Sequence, residues 1–515
     1  MKPQPAITID GSSLQLAEVI EVSRHHAKVQ LAEHSVAAVK AARAFVERLI
    51  AERRVVYGVT TGFGNFKKVR IEPDHVKELQ ANLIRSHAVG VGPALSVPEV
   101  RAMMLIRANS LAKGYSGVRP LVIETLLRML NHGVHPFVPE QGSVGASGDL
   151  APLAHVALVM MGEGEVVVDG QRQSAKAVMQ SSGTTAVQLE AKEGLALTNG
   201  TAFMSAVQSL NLDRARQLLW VADIIGALTM EAMQGSVVAA REEFANLRPH
   251  PGHAVSAENI RRLTEGSEEV ARDPDWPRIQ DSYTLRCLPQ VHGAIRDAVT
   301  HAADVLQREL NAATDNPLIF ADRERVLSGG NFHGEPLALT ADYLGIAMAE
   351  LADISERRIA KLVDPATNEG LPAFLIPPTQ AGLSNGFMIT QYTAAALVSE
   401  NKILTHPASV DSIPTSANQE DHVSMGAIAV RKCRDIISNV EQVLAIEWLT
   451  AAQAVDLRGS KKLGRGTRAA YELLRRHVSM LERDRVLYPD LEQAVAVVRS
   501  GALTETVVSA TGPMR

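Results

Sequence analysis

Cysteine is scarce in this sequence: Cys287 and Cys433 are the only two among 515 residues. A secreted chain of this length normally carries a disulfide framework, so the scarcity favours a cytoplasmic location. The first residues contain no apolar core of the length that a signal peptide needs, and no window of about 18 apolar residues follows. We therefore expect no membrane insertion.

The sequence also lacks an excess of either charge. Its 52 basic and 57 acidic residues give a formal net charge of -5, and no stretch concentrates Lys and Arg. Nucleic acid is therefore not an expected partner, because its phosphates are bound by clustered positive charge. With 46% hydrophobic and 21% charged residues, the composition is globular and excludes a disordered or fibrous chain.

Helical periodicity dominates the chain. Apolar residues recur at intervals of three and four in the segments 36–50, 291–310 and 337–362. The third segment keeps this spacing for about seven turns, whereas an average helix has about three. Strand signals are confined to 165–170 and 186–190, which we expect to pair as a small antiparallel appendage. The sequence thus predicts a mainly α protein built around a long helix bundle.

Glycine and proline interrupt the helices most clearly between Lys113 and Pro120. Because these residues end helices on both sides, we place a domain boundary there. The predicted domains are an N-terminal region, 1–115, and a long helical bundle, 116–515.

The densest polar and Gly-rich segment is 141–155, which places three glycines around Ser147. A helix start would explain Ser147 or Asp149 as a cap, but not three glycines that each lose conformational freedom on folding. A covalent rearrangement uses all of them. If the nitrogen of Gly148 reaches the carbonyl carbon of Ala146, ring closure and loss of water from Ser147 give an imidazolone with an electrophilic methylidene group. A following helix N-terminus would stabilise the negative charge that forms when a nucleophile adds.

This segment resembles the cofactor signature of the aromatic amino acid ammonia-lyase family, and in particular of its histidine-specific members. The matching motifs run in the expected order from Tyr57 to about Arg458. The resemblance implies that Ala146-Ser147-Gly148 becomes a methylidene-imidazolone (MIO) prosthetic group without an external cofactor. It also implies a fumarase/aspartase-like central helix bundle with a small mixed N-terminal region. The implied assembly is a homotetramer whose active sites take residues from more than one subunit.

The Gly-rich loop 57–64 would by itself be an ordinary turn. In the family the matching loop carries the catalytic base, which implies this role for Tyr57. The family's frequent Asn-Thr before the second glycine of the loop is Thr60-Thr61 here.

His87 would by itself be a residue at a helix end. Ser86-His87 resembles the histidine-specific members, whereas the tyrosine-specific and phenylalanine-specific members have His-Leu and Phe-Leu. An imidazole can hydrogen-bond the polar ring of L-histidine, so His87 predicts histidine as the substrate.

Five further residues take their roles from the resemblance. It implies that Asn199 and Arg286 bind the substrate carboxylate, and that Phe332 packs beside the prosthetic group. It also implies that Gln280 and Tyr283 support that group. Without the family, a helix cap would explain Asn199, and a solvated helix face would explain the spacing of 280, 283 and 286.

The polar run 418–422 would suit an exposed turn. Histidine-specific members of the family carry the same Gln-Glu-Asp-His sequence, which implies a catalytic Glu420 that contacts the substrate amine or ring and takes up a proton. The spacing of His132, His135 and His422 does not match a zinc or iron site, so no metal is expected.

The predicted reaction is the non-oxidative deamination of L-histidine to trans-urocanate and ammonia, the first step of histidine degradation. A β-proton beside an imidazole is poorly acidic, so addition of the amine to the methylidene group must first make nitrogen a better leaving group. Tyr57 would then remove the proton, while the division of acid and base roles between Tyr57 and Glu420 stays open.

Three other interpretations compete. A tyrosine or phenylalanine ammonia-lyase or aminomutase would keep the cofactor, but Ser86-His87 and Gln419-Glu420 weigh against it. A serine hydrolase is disfavoured because no strand is predicted directly before Ser147. A purely helical scaffold protein would leave the conjunction of motifs unexplained.

Overall fold

The computed structural model describes residues 6–62, 64, 69–271, 280–459 and 462–515. Helices dominate these residues, which confirms the predicted mainly α fold. No helix in the described part of the chain is both long and apolar enough to cross a membrane. In chain order the helices are α1 Leu16–Arg24, α2 Glu33–Ala51, α3 Val76–His87, α4 Val97–Ala112, α5 Pro120–His132, α6 Leu150–Met160, α7 Ala175–Ser181, α8 Glu193–Thr198, α9 Ala202–Ala232, α10 Glu242–Leu247, α11 Pro251–Leu263, α12 Tyr283–Arg286, α13 Leu288–Glu309, α14 Glu335–Val363, α15 Met388–Leu404, α16 Gly426–Arg458, α17 Arg465–His477, α18 Tyr488–Arg499 and α19 Ala502–Thr511.

All three predicted apolar stripes form helices. They correspond to α2, α13 and α14, and α14 extends over 29 residues, as its long stripe predicts. Helices of 31 and 33 residues, α9 and α16, add to the bundle character of the fold.

Strands are few and short, and they form four two-stranded ribbons among the described residues. The pair β1–β2 is parallel and the other three pairs are antiparallel. Their bounds are β1 Ile7–Ile9, β2 Val29–Leu31, β3 Val91–Ala94, β4 Pro139–Gln141, β5 Glu165–Val168, β6 Gln171–Ser174, β7 Leu318–Phe320 and β8 Arg325–Leu327.

The predicted pairing of 165–170 with 186–190 is wrong in its second partner. β5 pairs with β6, and 186–190 is not a strand. The two strands are joined by Asp169 and Gly170, whose φ angles are 49° and 76°. Two residues with positive φ make the tight turn that suits the twist of a hairpin, so the Asp-Gly pair was the local signal for this ribbon.

By their internal contacts the residues form two compact units. The first comprises Met1–Asn211, Ala303–Asp342 and Pro407–Arg431, and the second comprises the remaining segments. The boundary predicted near residue 115 lies inside the first unit, between α4 and α5, which pack against each other.

Within the first unit, three helices pack around one point. α3, α6 and α8 contact one another pairwise. α3 ends at His87, α6 begins three residues after Ser147, and α8 ends immediately before Asn199. This packing brings together three of the positions that the sequence singled out.

The second unit has its own buried framework. α17 packs on α11 and α19, and α18 packs on α19. Arg358 and Glu447 form a fully buried bidentate ion pair, with Nε to Oε1 at 2.5 Å and Nη2 to Oε2 at 2.8 Å. Ser355 and Thr229 also donate to this carboxylate, so its charge is well satisfied.

Candidate active site

The first unit contains a pocket of about 930 Å³. Six of the predicted site residues line it, although they lie far apart in the sequence: Tyr57, His87, Ser147, Asn199, Phe332 and Glu420. The remaining described lining residues are Gly64, Leu83, Leu150, Leu195, Thr198, Asn316, Ser328, Gly329, Ser416, Ala417 and Gln419. Ten of these seventeen residues have a polar or charged side chain, and polar groups that converge in a concave pocket are typical of small-molecule sites.

The backbone on one side of Ser147 is locked against Gly200. Gly200 N donates to Ser147 O at 3.0 Å, and Asp149 N donates to Gly200 O at 2.7 Å. Gly148 has a φ of 77°, and a Cβ atom added to it would lie 2.1 Å from Gly200 O. Only glycine fits at position 148, because both the backbone angle and the close approach exclude a side chain.

The other side of the same loop is fastened to the segment before α16. Met425 N donates to Val144 O at 2.9 Å, and Ser424 Oγ donates to Gly145 O at 3.2 Å. Gly145 has a φ of 67°, and an added Cβ would lie 2.1 Å from Ser424 Oγ. The glycines on both sides of Ser147 therefore allow neighbouring chain segments to clamp the loop.

The side chain of Asp149 does not cap the helix, as a helix start would have it do, but contacts two other segments. Its side chain makes no capping hydrogen bond to α6. Instead, Oδ2 accepts from Met204 N at 3.0 Å and Oδ1 accepts from Ser143 Oγ at 3.3 Å. Burial raises the pKa of Asp149 to about 7, and the nearby Glu309 adds to this increase.

Glu420 faces Ser147 across the pocket. Ser147 Oγ donates to Glu420 Oε1 at 2.8 Å, and Thr415 Oγ1 donates to Oε2 at 2.8 Å. Thr415 and Glu420 also exchange two backbone hydrogen bonds. The intervening residues 416–418 have φ angles of 52°, 52° and 64°, a left-handed turn that is costly for residues other than glycine. The carboxylate is thus aimed at Ser147 by a strained, closed loop.

His87 is the last residue of α3. Burial lowers the pKa of His87, and the backbone hydrogen bond to Leu83 and the charge of Glu420 only partly oppose this effect, so its neutral form is favoured. Ser86 Oγ donates to Leu83 O at 3.0 Å and lies 3.0 Å from His87 Nδ1. When the hydroxyl proton is given to Leu83 O, Nδ1–H donates to Ser86 Oγ and Nε2 is left as an acceptor.

Tyr57 lies in a loop that its neighbours hold by hydrogen bonds. Gly64 N donates to the phenolic oxygen at 3.3 Å. Thr60 Oγ1 accepts from Val56 N at 2.9 Å and donates to Arg54 O at 2.8 Å. Thr60, which departs from the family pattern, therefore closes the turn. Residue 63 and residues 65–68 of this region lie outside the described residues.

Asn199 is oriented by a buried charge network. Its Nδ2 donates to Asp315 Oδ1 at 3.3 Å and to Asn316 O at 2.8 Å. Both partners can only accept, so Oδ1 is the atom that Asn199 offers to a ligand. A contact from Asn199 to a carboxylate would require the amide to turn over.

Lys192 and Asp315 form the centre of this network. Their side chains are fully buried, and Nζ lies 2.7 Å from Oδ2. Burial raises the pKa of Asp315, but Lys192 and Arg107 outweigh it and hold that pKa below the ordinary value. Sequence reasoning missed this pair, and no spacing could have signalled it, because the two residues are 123 positions apart.

Gln280, Tyr283 and Arg286 are not among the residues that line this pocket. They belong to the second unit, where Tyr283 is 71% exposed and the Arg286 guanidinium carbon lies 4.6 Å from its ring centroid. α12 contains Tyr283 and Arg286 but begins after Gln280, so the predicted helical face holds for two of the three.

Solved structures first define the class of protein. The fold is similar to that of a tyrosine aminomutase from Streptomyces globisporus, with a TM-score of 0.95, 37% identity and coverage of 99% of this chain and 100% of that one. It is also similar to a histidine ammonia-lyase from Trypanosoma cruzi, with a TM-score of 0.91, 40% identity and coverage of 98% and 96%. The class is therefore that of helical ammonia-lyases and aminomutases.

Sequence comparison is more specific. Residues 14–476 match the family model for aromatic amino acid lyases. The chain is 53% identical over 501 residues to a histidine ammonia-lyase from Alkaliphilus metalliredigens, covering 97% of this chain and 98% of that protein. The chain belongs to the aromatic amino acid lyase family, which confirms the resemblance drawn from its motifs.

Proposed function

We propose that this enzyme deaminates L-histidine non-oxidatively to trans-urocanate and ammonia, the first step of histidine degradation. The observation that carries the proposal is that His87 and Glu420 share one pocket with Ser147, and burial there favours the neutral form of His87. His87 Nε2 can accept a hydrogen bond from the imidazole N–H of the substrate. The names of the similar proteins support the same reaction.

The chain around Ser147 fits an MIO group made from Ala146, Ser147 and Gly148. The close approach of Gly200 O to Gly148 leaves no room for a side chain, as a tight ring requires. When formed, the group supplies an electrophile that makes the substrate nitrogen a better leaving group. Glu420 Oε1 lies 2.8 Å from the Ser147 hydroxyl oxygen that would be lost, so Glu420 is placed to pass a proton to that hydroxyl as it leaves as water.

We assign removal of the β-proton to Tyr57. Tyr57 lines the pocket, and its oxygen accepts from Gly64 N, a contact that would also stabilise a phenolate. Glu420 then orients the substrate amine or ring. In the orientation described above, Asn199 Oδ1 accepts from the substrate amine; if the Asn199 amide turns over, its Nδ2 donates to the substrate carboxylate instead. Phe332, which lines the same pocket as Ser147, would pack against the prosthetic group.

The substrate carboxylate needs a positive partner. Among the described residues that line the pocket there is no Lys or Arg. We propose that the enzyme is a homotetramer in which Arg286 of a neighbouring subunit binds the carboxylate, while Gln280 and Tyr283 support the prosthetic group. The exposed ring of Tyr283 is compatible with such a contact. We place the tetramer in the cytoplasm, where the thiols of Cys287 and Cys433 stay reduced.

A tyrosine-specific lyase or aminomutase is the second candidate, because His87 Nε2 could equally accept from a phenol. The two are separated by offering purified enzyme L-histidine, L-tyrosine and L-phenylalanine. We expect urocanate to be the product that forms fastest, as measured by its near-ultraviolet absorbance. No β-amino acid should appear in the product mixture. Faster formation of coumarate, or of β-tyrosine, would replace the histidine assignment.

The base is tested by comparing Tyr57→Phe with Glu420→Gln under single-turnover conditions. Loss of a positioned general base lowers the rate by about 10²–10⁴-fold. Tyr57→Phe should show this loss while intact mass still reports dehydration of the tripeptide. If Tyr57→Phe keeps most of its rate and Glu420→Gln does not, Glu420 is the base.

A further inference from the structure

Three potential metal ligands converge beside the pocket without lining it. His333 and Glu335 lie at the start of α14, and His422 follows Glu420 by two residues. One donor atom from each lies within 4.8 Å of the others. The two imidazole rings stack with centroids 5.7 Å apart and planes 5° from parallel. The residues come from segments 89 positions apart, which explains why the spacing of the histidines in the sequence predicts no metal.

The carboxylate of Glu335 is incompletely satisfied. Its Oε2 is buried and has no hydrogen-bond partner within the described part of the chain. This oxygen lies 3.9 Å from His333 Nδ1. Buried polar atoms nearly always have a partner, so an orphaned carboxylate oxygen facing an imidazole nitrogen points to a missing cation.

His333 is already arranged as a metal ligand would be. Its Nε2 lies 3.3 Å from the backbone oxygen of His422 and can only donate to it. Ligating histidines usually donate their second ring N–H to a carbonyl or carboxylate in this way, which fixes the ring and its tautomer. The lone pair of Nδ1 is then available, with the Glu335 amide N–H at 3.3 Å as its weak present partner.

We propose that His333, Glu335 and His422 bind one divalent transition-metal ion of the zinc type. Two imidazole nitrogens and one carboxylate oxygen suit zinc, whereas calcium and magnesium prefer oxygen ligands alone. Bonds of about 2.0–2.1 Å require closer ligands than 4.8 Å, so the exposed His422 ring must turn out of the stack. Open positions are completed by water.

The charge of Glu335 is essential to this site. The N-terminus of α14 carries a partial positive charge that disfavours a cation, and the carboxylate offsets it. The bound ion would join the segment that carries Phe332 to the one that carries Glu420. The metal site would therefore stabilise one wall of the pocket. Its test does not depend on the substrate proposed above.

The test uses the full-length protein without a histidine tag, stripped of metal by a chelator. Free L-histidine is left out because it binds transition metals itself. Zn²⁺ is titrated calorimetrically, and Co²⁺ replaces it for visible spectroscopy. We expect about one ion per chain and Co²⁺ bands of tetrahedral intensity. Zn²⁺ should also raise the Tm.

Two variants and one control assign the ligands. His422→Ala removes an exposed ring, and Glu335→Gln removes the charge while keeping the shape. Each should weaken Zn²⁺ binding at least about tenfold, the lower limit that even an outer-shell change causes, and abolish the Tm increase. His477→Ala, an exposed histidine at the end of α17, should behave as the wild type. Absence of stoichiometric Zn²⁺ binding to the wild type would overturn the site. So would a Zn²⁺ affinity equal to that of the wild type in both His422→Ala and Glu335→Gln.

Discussion

The loop around Ser147 and the network behind Asn199 border the same pocket, but they are held by different forces. Backbone contacts that leave no space for a Cβ atom fasten Gly148. A fully buried ion pair between Lys192 and Asp315 holds the amide of Asn199. The first arrangement is sensitive to volume, and the second is sensitive to charge. Substitutions that alter one property at a time should separate them.

The largest effect is expected for Lys192→Met, which keeps most of the side-chain volume and removes the charge. Asp315 would be left as a buried carboxylate without its main partner, which typically costs about 3–5 kcal/mol of unfolding free energy. Urea denaturation measures this loss. Lys77→Met is the matched control, because Lys77 pairs with Glu190 at the same 2.7 Å but is 51% exposed. Its loss should stay below about 1 kcal/mol.

Equal losses in the two lysine variants would mean that burial does not set the strength of the Lys192–Asp315 pair. In that case the segment around Asn199 would not depend on buried charge more than the loop around Ser147 does.

Gly148→Ala should have the next largest effect. The new Cβ would lie 2.1 Å from Gly200 O at a φ of 77°, and we expect a loss of about 3 kcal/mol from overpacking and backbone strain together. Gly170→Ala is matched in φ, at 76°, but has nothing within 4 Å of the added atom. Its cost should be only the roughly 1–2 kcal/mol of the left-handed conformation.

Intact mass of Gly148→Ala adds a chemical readout. The displaced loop should no longer lose water at Ser147, whereas Gly170→Ala should dehydrate as the wild type does. A Gly148→Ala protein of normal stability that still dehydrates would show that the Gly200 contact can yield.

The raised pKa of Asp149 predicts a smaller, pH-dependent effect. Its folded pKa of about 7 exceeds the unfolded value, so between these values the folded state binds a proton that the unfolded state does not. Its contribution to stability is therefore complete at low pH and falls as pH rises toward 7, by at most about 1.4 kcal/mol per pH unit. Asp149→Asn should remove this slope.

The measurement for Asp149 compares unfolding free energies of wild type and Asp149→Asn at pH 5 and pH 6. A difference that does not change between the two would mean that Asp149 titrates normally in the folded protein.

The smallest effect is expected for Thr415→Val, which removes one hydrogen bond to Glu420 Oε2 and keeps the shape. The loop is still closed by backbone hydrogen bonds, so stability should change little. The carboxylate becomes less well aimed, and kcat should fall about fivefold, equivalent to about 1 kcal/mol. Thr415→Ser should restore the wild-type kcat, and an unimpaired Thr415→Val would show that the backbone alone orients Glu420.

Local patterns predicted the helices α2, α13 and α14 and the tripeptide, because period and composition are properties of neighbouring residues. α14 follows from its apolar stripe, and the clamped serine follows from a run of glycines. The ribbon β5–β6 could also have been predicted, since Asp169-Gly170 is a strong hairpin signal between its two strands.

The sequence by itself determined a mainly helical lyase-family fold and six of the residues that line the pocket. Tertiary structure alone decided which atoms face the pocket. Asn199 presents its oxygen because Asp315 and Asn316 take its nitrogen, and Glu420 faces Ser147 because a left-handed turn closes behind it. These outcomes depend on partners many residues away, and burial, not spacing, sets the strength of their charges.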